Sequence, residues 1–345
     1  MELKPHGLWI NADGPHGDVV MSCRARLARN IAGFPFVSRA TPAQRHEIAN
    51  LARQVLLGGN LAQGMIWVDL LQATERDRRL LVERHLISKN HAESDIERGV
   101  AVSGDEALSV MVNEEDHLRM QILASGLQLQ VVHRRVNELD DAIEEKIDYA
   151  FGRRWGYLTA CPTNVGTGIR FSVMMHLPAL KITNEIERVR RAAKDLHLAV
   201  RGYYGEGSES AGDFYQISNQ LTLGKKEEEL LEELQDKILP RIIEYEHQSR
   251  RLLAERNEAL LEDRIHRAMG VLRSARLLGA EEAMKLLSRV LLGVHMGRIE
   301  SPNASVINRL FLQVQPSHLQ LHAGRDLGPD ELREMRATVV RQSIG

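Results

Sequence analysis

Cys161-Pro162-Thr163-Asn164-Val165-Gly166-Thr167-Gly168-Ile169-Arg170 places one thiol, one proline, two glycines and one arginine among small polar side chains. This is a poor recipe for a helix or a core strand. The glycines allow backbone shapes closed to other residues and let amides approach a ligand closely. Thr163, Asn164 and Thr167 can hydrogen-bond locally or to a ligand. Arg170 adds a permanent charge in a fork that suits phosphate or carboxylate. Taken alone, the stretch also fits an ordinary turn between strands. Its flanks support strands: Trp155–Ala160 leads in, and Phe171–Leu180 begins with alternation.

Other arginines sit in similar places. Val19–Met21 reads as a strand running into Ser22-Cys23-Arg24-Ala25-Arg26. If the chain stays extended, Arg24 and Arg26 share one face, where they repel unless an anion lies between them. Val100–Val102 and Leu108–Asn113 read as a strand pair around Gly104-Asp105, followed by Glu114-Glu115-Asp116-His117-Leu118-Arg119. Alternation sends Glu115 to the face of Asn113 and away from Glu114, so one carboxylate can enter a cleft while its neighbours stay outside. Arg201-Gly202-Tyr203-Tyr204-Gly205-Glu206 opens a Gly-rich segment that also carries Glu209, a pattern common in loops that close over substrates. His85, beside leucines in Arg76–His91, suits either a base or phosphate contact or a partly buried structural position.

The remaining elements frame these stretches. Helices are expected over Thr41–Leu57 (Thr41 capping, Pro42 in the first turn), Asn137–Phe151 and Thr183–Leu196, with strands at Met65–Leu71 and Phe214–Leu223. From Lys225 the chain turns rich in Glu, Leu, Arg and Ala at helical spacing. Pro240 is placed to kink the first long helix. Further helices are expected over Glu258–Met269, Glu281–Leu292 and Asp330–Arg341, with a last strand at Phe311–Val314. The amphipathic stripes suit a helical subdomain or a dimer contact.

Composition excludes several classes. The 345 residues suggest two domains, and a net charge of −2 does not suggest a nucleic-acid binder. Two distant cysteines make no disulfide framework and no zinc knuckle. No apolar run reaches the ~18–20 residues of a membrane span. Lys4, Pro5, His6, Asp13, Pro15 and Asp18 make the first twenty residues unlike a signal peptide, so a cytoplasmic protein is expected. There is no P-loop, no dinucleotide fingerprint and no H-E-x-x-H motif. The scattered arginines suit a clamp for a triphosphate, because phosphoryl transfer is mostly positioning and charge stabilisation.

Ser22–Arg26, Val112–Arg119, Cys161–Arg170, Arg201–Glu206 and Ile217–Asn219 resemble, in order, the motifs of the ATP:guanido phosphotransferases. The N-E-E-D-H-L-R and C-P-T-N-x-G-T-G motifs carry most of the specificity. The resemblance covers roughly residues 8–224. Within the family the chain looks like the bacterial protein-arginine kinases. Creatine and arginine kinases place a whole helical domain before the first arginine motif, and its loop selects a small guanidine. Here twenty-one residues precede Ser22, which leaves an open site able to admit a guanidinium on another chain.

The resemblance implies an α+β fold: a glutamine-synthetase-like antiparallel sheet flanked by helices over residues 1–224, then a mainly helical domain over residues 225–345. It implies that Arg24, Arg26, Arg119, Arg170 and Arg201 clamp ATP, with His85 near the adenosine. Glu115 and Glu206 grip the guanidinium, Glu115 as base, and Cys161 touches it as a thiolate. Ser22, Asn164 and Glu209 are additional candidates. Mg²⁺ accompanies ATP, and the sequence names no protein ligand for it. Partners implied are proteins with exposed or unfolded arginines, an activator subunit and Clp-type protease machinery in stress response, with a homodimer formed through the helical part.

Two departures stand out. Cys23 replaces a small hydroxyl, a near-isosteric change that should spare the clamp. The R-D-x-x-R-A motif that forms a phosphoarginine pocket in this branch is matched only by Arg336-Ala337 within Leu332–Ala337. Feedback by phosphoarginine is therefore not expected unless Arg333 and Glu334 rebuild that pocket. A small-guanidine kinase and a silent nucleotide- or phosphoarginine-binding adaptor are the alternatives. Retention of Glu115, Glu206, Cys161 and five arginines speaks against the adaptor.

Overall fold

Alternation of apolar and polar residues on the arginine-bearing segments builds one large sheet. The computed structural model describes residues 7–11, 13–203 and 211–345. The strands are β1 (Val20–Arg29), β2 (Ile66–Asp69), β3 (Gly99–Val102), β4 (Leu108–Val112), β5 (Leu118–Ser125), β6 (Phe151–Gly152), β7 (Gly156–Tyr157), β8 (Ile169–His176), β9 (Leu198–Arg201) and β10 (Phe214–Asn219). Eight form an antiparallel sheet in the order β2-β3-β4-β5-β1-β8-β10-β9, and β6 and β7 make a separate hairpin.

The helices are α1 (Pro42–Gly58), α2 (Glu75–Glu83), α3 (Lys89–Glu93), α4 (Leu129–Glu144), α5 (Pro178–Ile182), α6 (Ile186–Asp195), α7 (Glu227–Glu232), α8 (Leu239–Arg256), α9 (Glu258–Ser274), α10 (Ala280–His295), α11 (Ala304–Gln313), α12 (Pro316–Ala323) and α13 (Pro329–Ile344). Thr41 caps α1 by accepting from the Gln44 amide, and the Gln44 side chain accepts in return from the Thr41 amide, so two helix-end donors are satisfied. A π-helical turn at Glu233–Ile238 separates α7 from α8, and Pro240 lies in the first turn of α8. The irregularity falls there because proline offers no amide to the preceding turn.

One face of the sheet is apolar. Cys23, Ala25 and Leu27 of β1 alternate inward and pack in one core with Ile48 of α1, Val132, Val136 and Leu139 of α4, and Val189 of α6. The same core takes in Leu230, Leu234, Ile238 and Ile242, so the start of the helical region belongs to the sheet's own packing. A second core joins Met21, Leu123, Met174 and Phe214 to the C-terminal helices, through Leu261 and Ile265 of α9, Leu287 of α10, Leu310 and Phe311 of α11, and Val340 of α13. These helices thus cover part of the sheet's other face.

Four expectations shift. The helix placed at Asn137–Phe151 runs over Leu129–Glu144, because Leu129, Val132, Val136, Leu139 and Ile143 form its buried stripe. Residues after it turn back, and Tyr149 bridges to Ile31. The strand placed at Trp155–Ala160 shrinks to Gly156–Tyr157. Phe311–Val314 is the end of α11, which Asn303 caps through the Val306 amide. Glu114–Asp116 form the turn between β4 and β5, so strand alternation does not set their directions.

Candidate active site

Register puts five arginines on one face. On β1, Arg26 pairs with Gln121 of β5 on one side and with Arg170 of β8 on the other. Arg24 sits opposite Ser172, and Ala28 opposite Arg119. Ser172 is opposite Ser218 of β10, and Gln216, one pleat away on that face, is opposite Arg201 of β9. Directly opposed residues share a face of the sheet. Arg119, Arg24, Arg26, Arg170 and Arg201 therefore form a cationic strip across five adjacent strands, with Ser22 buried at its β1 end. Cys23 is on the opposite face, where the Gln128 amide donates to its Sγ. Burial pushes that thiol up to about 12.

Positive charge is crowded at the centre of the strip. Arg24 Nε donates to Ser172 Oγ at 3.2 Å and Nη1 to Gln121 Oε1 at 3.5 Å. Burial, then the charges of Arg119, Arg170 and Arg201, lower its pKa to about 9. Arg26 has Nε and Nη2 buried without a hydrogen-bond partner. Burial and then Arg24, Arg119, Arg170 and Arg201 disfavour its charge strongly. A guanidinium does not give up its proton in a protein, so a bound anion is what relieves this crowding. Arg170 Nη2 reaches Asn164 Oδ1 at 3.3 Å.

Arg119 has a carboxylate in direct contact, Glu114 Oε2 at 2.7 Å. Burial would push the Glu114 carboxyl up. The Arg119 charge, the Ser88 hydroxyl, the Glu115 amide and the Arg119 hydrogen bond outweigh it and hold the pKa at about 2. Glu114 is thus committed to Arg119, while Glu115 next to it is exposed. Partial desolvation raises the Glu115 pKa; Arg119 opposes this, and Asp116 and Glu114 add to it.

The Glu115 turn and the Cys161 turn are fastened together. Asp116 Oδ1 accepts from the Ala160 amide and from Asn30 Nδ2, both at 2.6 Å. Asn30 Oδ1 accepts from the His117 amide at 3.0 Å. His117 Nδ1 accepts from the Ile31 amide, so its Nε2–H donates to Pro35 O at 2.9 Å. Both ring nitrogens serve the backbone, and His117 is a strut for the site. Asp116, one residue from Glu115, therefore grips the residue before Cys161.

Cys161 itself is half-buried, with Sγ 3.0 Å from Thr163 Oγ1. The turn behind it depends on glycine. Gly166 has φ +110°, and a Cβ there would meet Thr222 O at 2.7 Å. Gly168 has φ +70°, and a Cβ would meet Ala28 O at 2.7 Å. Side chains larger than hydrogen fit neither place.

His85 has φ +57° just after α2. Its ring lies 5.4 Å from Trp9 and 5.0 Å from Tyr203, edge to face in both cases. Burial, then Arg24, lowers its pKa to about 3, so it is neutral. Trp9, His85, Tyr203, Arg24, Met174 and Gln216 line one small cleft at the edge of the strip. Trp9, Tyr203, Gln121, Ser172 and Gln216 are site residues that motif reading did not single out. Gln121 and Ser172 were legible, since each follows an arginine by two residues in a strand.

Glu206 and Glu209 lie outside the described residues. Arg333 is exposed, 3.6 Å from Asp330. Arg336 is buried and donates to Val314 O at 2.7 Å and Leu278 O at 2.8 Å. The two side chains do not converge, and Arg336 serves as a tie between α13 and its neighbours. Among the described residues, no cluster of three or more His, Cys, Asp or Glu could hold a metal ion.

Residues 48–249 match the ATP:guanido phosphotransferase C-terminal catalytic domain. The chain belongs to the ATP:guanido phosphotransferase family. Residues 258–345 of this guanido phosphotransferase match the protein-arginine kinase McsB C-terminal domain. The protein-arginine kinase of Symbiobacterium thermophilum is 46% identical over 97% of this chain and 96% of its own. That of Bacillus subtilis is 42% identical over 97% of this chain and 93% of its own. Among solved structures, lombricine kinase superposes with a TM-score of 0.58 at 25% identity, over 71% of this chain and 72% of its own. The guanido phosphotransferase fold is thus an antiparallel sheet flanked by helices with a helical C-terminal region. No helix among the described residues is long and apolar enough to cross a membrane.

Proposed function

We infer that this guanido phosphotransferase is a protein-arginine kinase, which moves the γ-phosphoryl group of ATP to a guanidinium nitrogen of an arginine side chain in a protein. The observation that carries this is the span of the likeness. It runs through the arginine strip and on through the C-terminal helices, at 46% and 42% identity to protein-arginine kinases.

The geometry supports the following roles. Arg24, Arg26, Arg119, Arg170 and Arg201 hold the phosphates, since guanidinium forks bind phosphate oxygens bidentately. His85, neutral between Trp9 and Tyr203, borders the adenosine. Glu115 is free of the ion pair that occupies Glu114, so it takes the proton from the substrate guanidinium. The nitrogen lone pair then forms the N–P bond as the bond to the β-phosphate oxygen breaks and ADP leaves. General-base help of this kind is worth ~10²–10⁴-fold. Cys161 sits beside the acceptor; a part for Glu206 in the grip rests on the family resemblance alone. Mg²⁺ bound with ATP would supply charge neutralisation at the phosphates.

A homodimer through the helical region, an activator subunit, Clp-type protease partners and a cytoplasmic location follow from the family branch. The function is tested by incubating the full chain with Mg-ATP and an unfolded model protein, then detecting phosphoarginine by mass spectrometry at neutral pH. Phosphoarginine lost in Glu115→Gln is the expected result. Turnover of free arginine without protein phosphorylation would move the assignment to a small-guanidine kinase.

A further inference from the structure

The Cys161–Gly168 turn is clasped from two sides. On one side, Tyr157 of the β6–β7 hairpin exchanges backbone hydrogen bonds with Gly166 at 2.9 and 3.4 Å. On the other, Thr222 Oγ1 donates to Thr163 O at 2.9 Å and to Val165 O at 2.7 Å. Both clasping segments carry large apolar side chains that stand out into solvent. Phe151 is 59% exposed, Trp155 47%, Leu221 48% and Leu223 49%. These are four of the twelve exposed large apolar side chains among the described residues. Scattered ones need no explanation, but four around one turn mark a surface that meets a partner.

The hairpin side of the patch is basic. Arg153 and Arg154 are exposed at the hairpin tip, and the Arg154 guanidinium lies 4.7 Å above the Trp155 ring. On the other side the charge is mixed: Lys225 is paired with Glu233, and Lys226 is followed by Glu227, Glu228 and Glu229. Arg153 and Arg154 therefore favour a partner that brings carboxylates to the hairpin tip.

We propose that this patch receives the polypeptide flanking the target arginine, and that the preferred substrate is an unfolded segment with apolar side chains near its arginine and carboxylates rather than lysines around them. The inference rests on the protein-arginine kinase reading. It follows from continuity: Thr163, whose hydroxyl touches the Cys161 thiol, is the same residue whose carbonyl is tied to the segment bearing Leu221 and Leu223. An extended chain advances ~3.3–3.6 Å per residue, so side chains two to four residues from the arginine sweep the surface just beyond the turn. Folded proteins bury such side chains, so the patch would select unfolded chains without reading a fixed sequence.

The test uses the full chain and short unstructured peptides with a single arginine. One peptide has Leu or Phe two and four residues on each side, a second has Ser and Gly there, and a third has Leu with Lys. Phosphoarginine formation gives kcat/KM for each. The apolar peptide should be favoured over the Ser/Gly peptide by about tenfold, and the Lys peptide should fall below the apolar one. In Phe151→Ser/Trp155→Ser, and separately in Leu223→Ser, that preference should shrink while kcat/KM for the Ser/Gly peptide holds. Equal rates on all peptides, or a preference unchanged in both variants, would overturn the proposal. Binding of ATP with no phosphoarginine on any peptide would overturn the kinase reading itself, and this inference with it.

Discussion

Arg26 and Arg170 stand directly opposite each other across β1 and β8, with Arg26 Nε and Nη2 buried and unpartnered. Like charges opposed in a sheet work against folding, and an uncompensated buried charge is expensive. Arg26→Met should therefore raise the stability of the ligand-free protein by ~1–3 kcal/mol, a melting temperature higher by several degrees. The same variant should bind ATP far more weakly. Differential scanning fluorimetry with and without ATP or pyrophosphate checks both halves. A drop in ligand-free melting temperature would contradict this account.

Glu115→Gln keeps the shape of the turn and removes the base. Turnover should fall ~10²–10⁴-fold with ATP affinity little changed, as read by calorimetry. The raised Glu115 pKa also moves the acid limb of the wild-type rate upward from where an ordinary glutamate would put it. Initial rates from pH 5 to 9 would show it.

Acid should destabilise the fold in two stages. His91, His295 and His85 have folded pKa values depressed to about 4, 4 and 3 from 6.5, by burial first in each case. Their contribution is full above pH 6.5 and is lost as pH falls toward those values. Glu114 is depressed to about 2 from 4.5, so its contribution is full above pH 4.5 and is lost as pH falls through 2. A tenfold change in a proton-binding constant corresponds to ~1.4 kcal/mol. Melting temperature should decline from pH 6.5 downward, and His91→Gln should flatten the first stage.

Ser288 closes a buried relay. His176 Nε2 lies 2.9 Å from Ser288 Oγ, and Ser288 Oγ donates to Asp213 Oδ2 at 2.8 Å. Asp213 Oδ1 also accepts from Lys181 Nζ at 2.7 Å, and its φ is +59°. Ser288→Ala should cost ~1–3 kcal/mol because it strands the His176 donor in the core. Urea unfolding of the two proteins measures it.

The fold came with the family resemblance, and the shared face of Arg24 and Arg26 was legible because strand alternation is simple. Arg24 and Arg26 two residues apart share a face wherever the chain is extended, and the sheet keeps them so. Periodicity failed where a helix began beneath a strand-like run. Leu129 and Val132 precede the helix expected over Asn137–Phe151, yet with Val136 and Leu139 they form one buried stripe. Phe311 and Leu312 read as strand because short apolar runs look alike. The ion pair that commits Glu114 to Arg119 was not legible, since it depends on a turn geometry and on Arg119 across it. Trp9 gave no signal, because its partner His85 is far away in the chain.

The second core gives the catalytic sheet and the C-terminal helices one shared wall: Met21, Leu123, Met174 and Phe214 on one side, Leu287, Leu310 and Phe311 on the other. Glu83, Arg84 and His318 stitch the same seam with buried hydrogen bonds. A gene that exchanged its last helices for those of a distant relative would have to exchange the facing residues of four strands as well. The two halves therefore have to change in step.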